Sequence, residues 1–508
     1  MADQYPILIL LFPLFAAVCV ALAGTKSDRF CLPITLVGLG GSLLFAILTQ
    51  GQAVANGPVE YFLGGWDTSD GKPLGIGIQY IVDPINGLVL VLIPLIGLIT
   101  AIFSADRISE ETNDKVALFY SLYLLMLTGL MGMAITADAF NLYVLLEVSS
   151  LTGYALVAMG THRRAAPAAF NYVIMGTIGA TFYLLGVGYL YLKTGSLNMG
   201  DIKEILVEKN LHGSQAVNVA FIMILVGVLV KMAFFPLHAW LPNAYCFGPS
   251  TTACVVAPLV TKVSVYIMVR MMLSVFGIEY VYSLPWADTV VWLAVVGIIG
   301  GSVMALSEPD LKRMLTWLIV AEVGYMVGGA WLVNEKGMIG TVYHVISDAA
   351  MTSCLFLAVT ILISKSGSSK IESLTGAFQK YPLTMTAFLV GAFSMIGIPP
   401  TAGFFSKYYL IRGGLEAGHY AYVIALLISS LVNAIVFFRI IEVAFFGKLS
   451  DDDHGHHDHH EPVAQDEAPW FKLAPLVFMA ICVVAVGLYN AELAELIGRG
   501  LEQIGGWR

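Results

Sequence analysis

Val226-Gly-Val-Leu-Val-Lys231-Met-Ala-Phe-Phe-Pro236-Leu-His238-Ala-Trp240-Leu-Pro242 runs from pure hydrocarbon into a proline-interrupted stretch. An ammonium at membrane depth costs several kcal/mol unless it is paired or wetted, so Lys231 reads as functional. Pro236 removes a helix donor and frees carbonyls, which is tolerated only against protein or a wet cavity. A second segment of the same kind follows at Gly397-Ile-Pro399-Pro400-Thr-Ala-Gly403-Phe-Phe-Ser-Lys407. Two broken helices, each with a lysine, read as an ion pathway.

The rest of the chain fits that reading. Of 508 residues, 58% are hydrophobic and 12% charged, and mean hydropathy is +0.81, which excludes an ordinary globular core. At roughly 20 apolar residues per span, the chain predicts an all-α polytopic membrane protein with about fourteen transmembrane helices. The broken ones fall near 216–246 and 382–413. The six cysteines form no CxxC pair and indicate neither a disulfide framework nor a cluster site. The net charge of −9 owes much to loops and implies no nucleic-acid partner. The absence of a basic n-region with a cleavage site makes the first apolar run a retained helix.

An even number of spans puts both termini on one side. Loops carrying Lys26, Arg29, Arg107, Lys115, Arg163, Arg164, Lys312, Arg313, Lys365, Lys370, Lys380, Lys448 and Lys472 then share the other, which the positive-inside rule makes cytoplasmic. Arg270, near the end of the span 251–275, is counted among the charges of the opposite side. The expected organisation is 1–110, N-terminal helices; 111–280 and 281–446, two repeats; 447–471, an acidic His-rich cytoplasmic loop; and 472–508, a last helix and tail. The repeat shows in Asp138 and Gly153-Tyr154 against Asp310 and Gly324-Tyr325. Each pair is followed two helices later by a broken, lysine-bearing helix. An odd offset of five helices makes the two five-helix units inverted.

Ionisable residues inside the spans mark the expected route. Glu147 lies nine residues into its helix, about 13 Å deep at 1.5 Å per residue. A carboxylate there must pair, be wet or hold a proton, and Lys231 is its natural partner, as a switching pair or a static one. Lys262 is too deep to snorkel easily. Lys407 sits past the double proline, where unwound backbone and Ser406 are available to it. His344, Asp348 and Thr352 are spaced i, i+4, i+8 and share one helix stripe. Imidazole beside carboxylate and hydroxyl suits proton exchange. Glu322, about ten residues into its span, is a candidate partner for Lys407. His238 lies in the first break and joins Glu322, Asp348 and Thr352 as a possible relay or tuning group. The loop Asp451–Glu461 has metal-binding composition without fixed ligand spacing and reads as a solvated loop dispensable for transport. No metal or cofactor site is predicted, and no phosphate loop or dinucleotide fingerprint is present.

Together these segments resemble the proton-translocating antiporter-like subunit family. It includes the D subunits of Mrp-type cation/proton antiporters and related subunits of complex I and membrane-bound hydrogenases. The resemblance spans nearly the whole chain. It implies a glutamate role at Glu147, a paired lysine at Lys231, a central lysine at Lys262, a connecting histidine at His344 and a terminal lysine at Lys407. It also implies a fold of fourteen core helices with two inverted repeats. Gly64-Gly65-Trp66, Gly75-Ile-Gly-Ile and Glu467-Ala-Pro469-Trp470 are similar to the branch of Mrp D subunits. The chain departs from the family at Asn243 and Tyr245, where an aspartate and a histidine are usual. It departs again at Asp348 and Thr352, where a second histidine and a lysine are frequent, and at Glu322, commonly glutamine.

The expectation is a proton-conducting subunit of a multisubunit Na+/H+ antiporter, multi-pass in the cell inner (plasma) membrane, with other membrane subunits, lipid, protons and Na+ as partners. The alternative is a proton-pumping membrane-arm subunit of a complex I-like or hydrogenase-like redox complex. The chain offers no ligands for flavin, iron–sulfur or haem, so in such a translocase the redox chemistry would belong to partners. A scaffold subunit with an inactive channel and a quinone-reactive subunit are the remaining readings.

Overall fold

The computed structural model describes residues 4–65, 77–446 and 465–505. Trp66, Gly75 and Ile76, the loop 451–461, and most of 447–471 fall outside them. Twelve helices among the described residues are long and apolar enough to cross a membrane. Two shorter apolar helices, Gln215–Lys231 and Pro382–Ile396, are the first halves of the interrupted segments. A two-stranded antiparallel hairpin, β1 (Val59–Phe62) and β2 (Gln79–Val82), is the sole sheet among the described residues, with Val59 opposite Val82.

Position in the bundle follows composition. Helices Ser250–Met271, Leu311–Trp331 and Glu335–Ser366 are buried on nearly all sides. They carry buried hydroxyl and ionisable side chains that face other helices rather than lipid, as polar groups inside a membrane bundle do. Each carries an ionisable side chain with almost no exposure: Lys262, Glu322, and His344 with Asp348. Peripheral helices instead leave large apolar side chains uncovered, such as Phe15 and Leu22, Leu192, or Ile424 and Leu431. Such faces suit lipid or neighbouring subunits.

The inverted repeat is written in hydrogen bonds. Asp138 caps helix Ala139–Ala158 by accepting from Asn141 N at 2.6 Å, and Asp310 caps Leu311–Trp331 by accepting from Arg313 N at 3.0 Å. Asp138 forms an isolated antiparallel bridge with Asn198, and Asp310 with Lys370, a separation of 60 residues in both cases. Ala139 N donates to Leu197 O at 2.8 Å, and Leu311 N to Ser369 O at 2.8 Å. The Asp138 clasp abuts the β-hairpin through Ala137 N and Gln79 O. The Asp310 clasp lies at the opposite face, beside Lys312, which donates to Ser250 Oγ at the start of the Lys262 helix.

The broken helices are built alike. Helix Gln215–Lys231 ends on its lysine, Ala233 follows in the left-handed region (φ +58°), and helix resumes at Leu241–Phe247. Helix Pro382–Ile396 ends at Gly397 (φ +95°) and helix resumes at Ala402–Glu416. Gly397 supplies the conformation that L-residues resist. Phe235-Pro236 and Pro399-Pro400 are both cis.

Candidate functional site: a line of buried ionisable groups

Lys231 and Lys262 lie on neighbouring, packed helices. The Lys231 ammonium, 6% exposed as a residue, donates to Ser150 Oγ at 2.7 Å and Tyr154 Oη at 3.0 Å. It also lies 5.6 Å from the Tyr154 ring centroid. Ser150 and Tyr154 share the Glu147 helix at i+3 and i+7 from the glutamate, so all three occupy one stripe. Glu147 itself is half-buried, and it is absent from the ion pairs within 4.0 Å found among the described residues. Hydroxyls of Ser150 and Tyr154 are the groups in bonding contact with the lysine.

Lys262 is 1% exposed, and Asp348 is fully buried. Lys262 Nζ lies 3.0 Å from Asp348 Oδ2 and donates to Ala257 O at 3.1 Å. The carboxylate contact is an ion pair rather than an aligned hydrogen bond. Asp348 Oδ1 accepts from Thr352 Oγ1 at 2.6 Å. Asp348 therefore faces the central lysine, not His344, although the two residues stand one turn apart on the same helix.

His344 turns instead to Glu322. Its Nε2 lies 2.6 Å from Glu322 Oε2, and its Nδ1 lies 2.8 Å from Ser406 Oγ. Both ring nitrogens are engaged and the ring is fully buried. Glu322 Oε1 lies 3.9 Å from Lys407 Nζ and 3.5 Å from Asn433 Nδ2. Lys407 donates to Met395 O at 2.7 Å and to Ser430 Oγ at 3.3 Å. Met395 sits in the last turn before the break, so its carbonyl is among those a helix end leaves open. A carbonyl of the helix end and Ser430, rather than unwound backbone and Ser406, thus serve Lys407, while Ser406 serves His344.

Lys262, Asp348, His344, Glu322 and Lys407 consequently form one line, every link of which is a contact below 4 Å or a single helix turn. His238 stands apart from that line. It stacks on Phe235 with centroids 5.4 Å apart and meets Trp317 edge-on, and its Nδ1 has no partner among the described residues. Tyr245 packs against Trp240 and donates to Val256 O at 3.3 Å, so the phenol at this position locks the break to the Lys262 helix.

Sequence reasoning missed Ser150, Ser430, Asn433 and the Arg270–Asp83 pair. Ser150 was detectable as a hydroxyl one turn from Glu147. Arg270 is no loop residue: it is 7% exposed and bonded to Asp83.

Residues 136–433 match the family described as NADH:quinone oxidoreductase/Mrp antiporter, transmembrane. The chain belongs to this family. It is 39% identical over 497 residues to a protein named as the N subunit of an NADH-quinone oxidoreductase from Desulforudis audaxviator, covering 97% of each. It is 26% identical over 456 residues to a protein named as the D subunit of a Na(+)/H(+) antiporter from Bacillus subtilis, covering 90% of each. Among solved structures it is similar to a chain of an archaeal membrane-bound sulfane sulfur reductase, with a TM-score of 0.87, 25% identity and coverage of 99% and 98%. The chain is thus more similar to the oxidoreductase relative than to the antiporter relative, at 39% against 26% identity.

Proposed function

We propose that this chain is the proton-conducting subunit of a multisubunit membrane complex. The observation that carries the reading is the buried line Lys262–Asp348–His344–Glu322–Lys407, with Lys231 on the adjoining helix. Ionisable groups within a membrane persist where they form ion paths. Amine, carboxyl and imidazole side chains are all groups that can take up and release a proton. Glu147 is the acid at one end, Lys231 the lysine it tunes, Lys262 the central carrier, His344 the connector and Lys407 the terminal carrier. Asp348 and Glu322 hold the charge balance, Thr352 orients Asp348, and His238 lies beside the route.

Drive comes from the assembly. The relative named as an antiporter subunit supports exchange of Na+ for protons. The more similar relative, named as a quinone oxidoreductase subunit, supports a redox-driven pump, a second reading in which partners hold the redox centres. The proton route is common to both. The test is proton flux in the reconstituted complex carrying Glu147→Gln or Lys231→Ala. Both changes should abolish driven flux while native gels show intact assembly. Normal flux in either assembled variant would refute the reading.

A further inference from the structure

The line of carriers has a branch that must be closed. The Lys262 helix continues for two turns, about 12 Å, beyond its lysine and ends near Arg270 at the face that holds the β-hairpin and Asp83. A proton leaving Lys262 along that axis, instead of sideways to Asp348, would meet Arg270 at its end.

What stands there is a pair of groups poorly suited to relaying protons. Arg270 Nη1 donates to Asp83 Oδ2, and both side chains are buried. Asp83 Oδ1 accepts from Ile85 N at 2.9 Å and Asn86 N at 3.0 Å, the first turn of helix Pro84–Phe103. The Asn86 side chain in turn accepts from Asp83 N at 2.7 Å and donates to Ala134 O at 3.1 Å. Below the pair, Tyr266 donates to the same Ala134 carbonyl at 3.2 Å. Above it, the helix passes into a π turn, Met272–Phe276, against which helix Met199–Glu208 packs. Lys203 on that helix donates to Ile504 O at 3.1 Å and so joins the roof to the C-terminal helix Asn490–Gly505. Burial, and then the neighbouring guanidinium, lower the proton affinity of Lys203.

A relay group must both take and release a proton. A guanidinium has five donors and no acceptor and stays charged in proteins. Asp83 already accepts from three donors, Arg270 Nη1, Ile85 N and Asn86 N. The first-turn amides of Pro84–Phe103 add positive potential at the same place, and a fixed cation at a constriction repels hydronium and alkali ions.

We infer that the Arg270–Asp83 pair is a proton-inert stopper closing the Asp83 end of the Lys262 helix, so that charge reaching Lys262 leaves only sideways through Asp348 and His344. This rests on the proton-conducting reading above. The alternative role is a clamp that merely ties two helices together.

The experiment measures passive proton leak into liposomes holding the intact complex, under an imposed membrane potential and with no drive. The double variant Arg270→Gln with Asp83→Asn keeps a hydrogen-bonded pair of similar volume and removes the fixed charge. Leak should rise about tenfold and fall back when Lys262→Ala is added. An assembled double variant as tight as the parent overturns the inference, and so does a leak that persists without Lys262, which would be a packing defect. Arg270→Lys carries the same test if the double variant does not assemble. It keeps the ion pair but substitutes a group that releases its proton, so it should leak, and tightness overturns the stopper. The proton-conducting reading fails separately, if either Glu147→Gln or Lys231→Ala leaves driven flux intact.

Discussion

Lys262 Nζ and Asp348 Oδ2 stand 3.0 Å apart with no solvent access. The central lysine thus has its own carboxylate inside the same chain. Lys407 has a second in Glu322, and Lys231 sits among hydroxyls. Two of these three lysines therefore have a carboxylate of the same chain within 4 Å.

Breaking the central pair should be severe. Asp348→Asn keeps an acceptor for Thr352 but leaves a buried ammonium uncompensated, a loss of about 3–5 kcal/mol when one partner of such a pair is removed. Proton flux should fall by about tenfold or more, since each ~1.4 kcal/mol on a barrier is a decade. Asp348→Glu should recover part of it. Reconstituted flux measurements on assembled complexes check both.

Thr352→Lys should slow transport rather than improve it. The new ammonium would compete with Lys262 for Asp348, and a like charge within a few ångströms disfavours the protonated form of both. Flux below that of the parent is expected, and flux equal to or above it would show that the site accommodates a second cation.

Glu322→Gln should disconnect His344 from Lys407. The amide still bonds the imidazole but neither accepts a proton nor balances the ammonium. Flux should drop by about tenfold or more, with assembly retained. A parent-like rate would make Glu322 structural.

The complementary change is Ser150→Glu. It places a carboxylate within reach of Lys231, where Ser150 Oγ now stands 2.7 Å away. A close opposite charge favours the ammonium, so the proton should be held too tightly and flux should fall. A Ser150→Ala control should lose less.

Gly403→Ala tests the second break. A Cβ there would meet Ser394 O at 1.9 Å, a backbone contact that cannot yield without separating the two half-helices. Overpacking of this kind destabilises by about 1–3 kcal/mol. It should also displace Lys407, on the second half, from Met395 O on the first. Lower assembly yield and lower flux per assembled complex are the expected readouts.

The fold was largely legible because its signals are coarse. Long apolar runs, two lysine-bearing proline breaks and the Asp138/Asp310 spacing all survive without coordinates. The site was legible only as a set of members. Depth along a helix follows from counting residues, so Glu147 and Lys262 were placed near the membrane centre. Azimuth against other helices does not follow from counting. His344 and Asp348 share a stripe, yet Glu335–Ser366 is buried on nearly all sides, so one turn faces Glu322 and the next faces Lys262. Arg270 escapes a sequence reading because a charge near the end of a span ordinarily marks a loop, and its partner lies 187 residues away.

The clasps Asp138–Asn198 and Asp310–Lys370 lie on opposite faces with the same spacing. Two identical units laid head to tail present the same profile from either side of a bilayer and have no preferred direction. Each unit here sets its lysine over a tyrosine, Lys231 over Tyr154 and Lys407 over Tyr325. The units part company beside that tyrosine. The remaining partner of the lysine differs: Ser150 Oγ at 2.7 Å for Lys231, but Glu322 Oε1 at 3.9 Å for Lys407. A neutral hydroxyl in one half and a carboxylate in the other give the molecule a polarity that duplication alone would have erased. The vectorial sense of the stroke is therefore to be sought in the few places where the halves disagree.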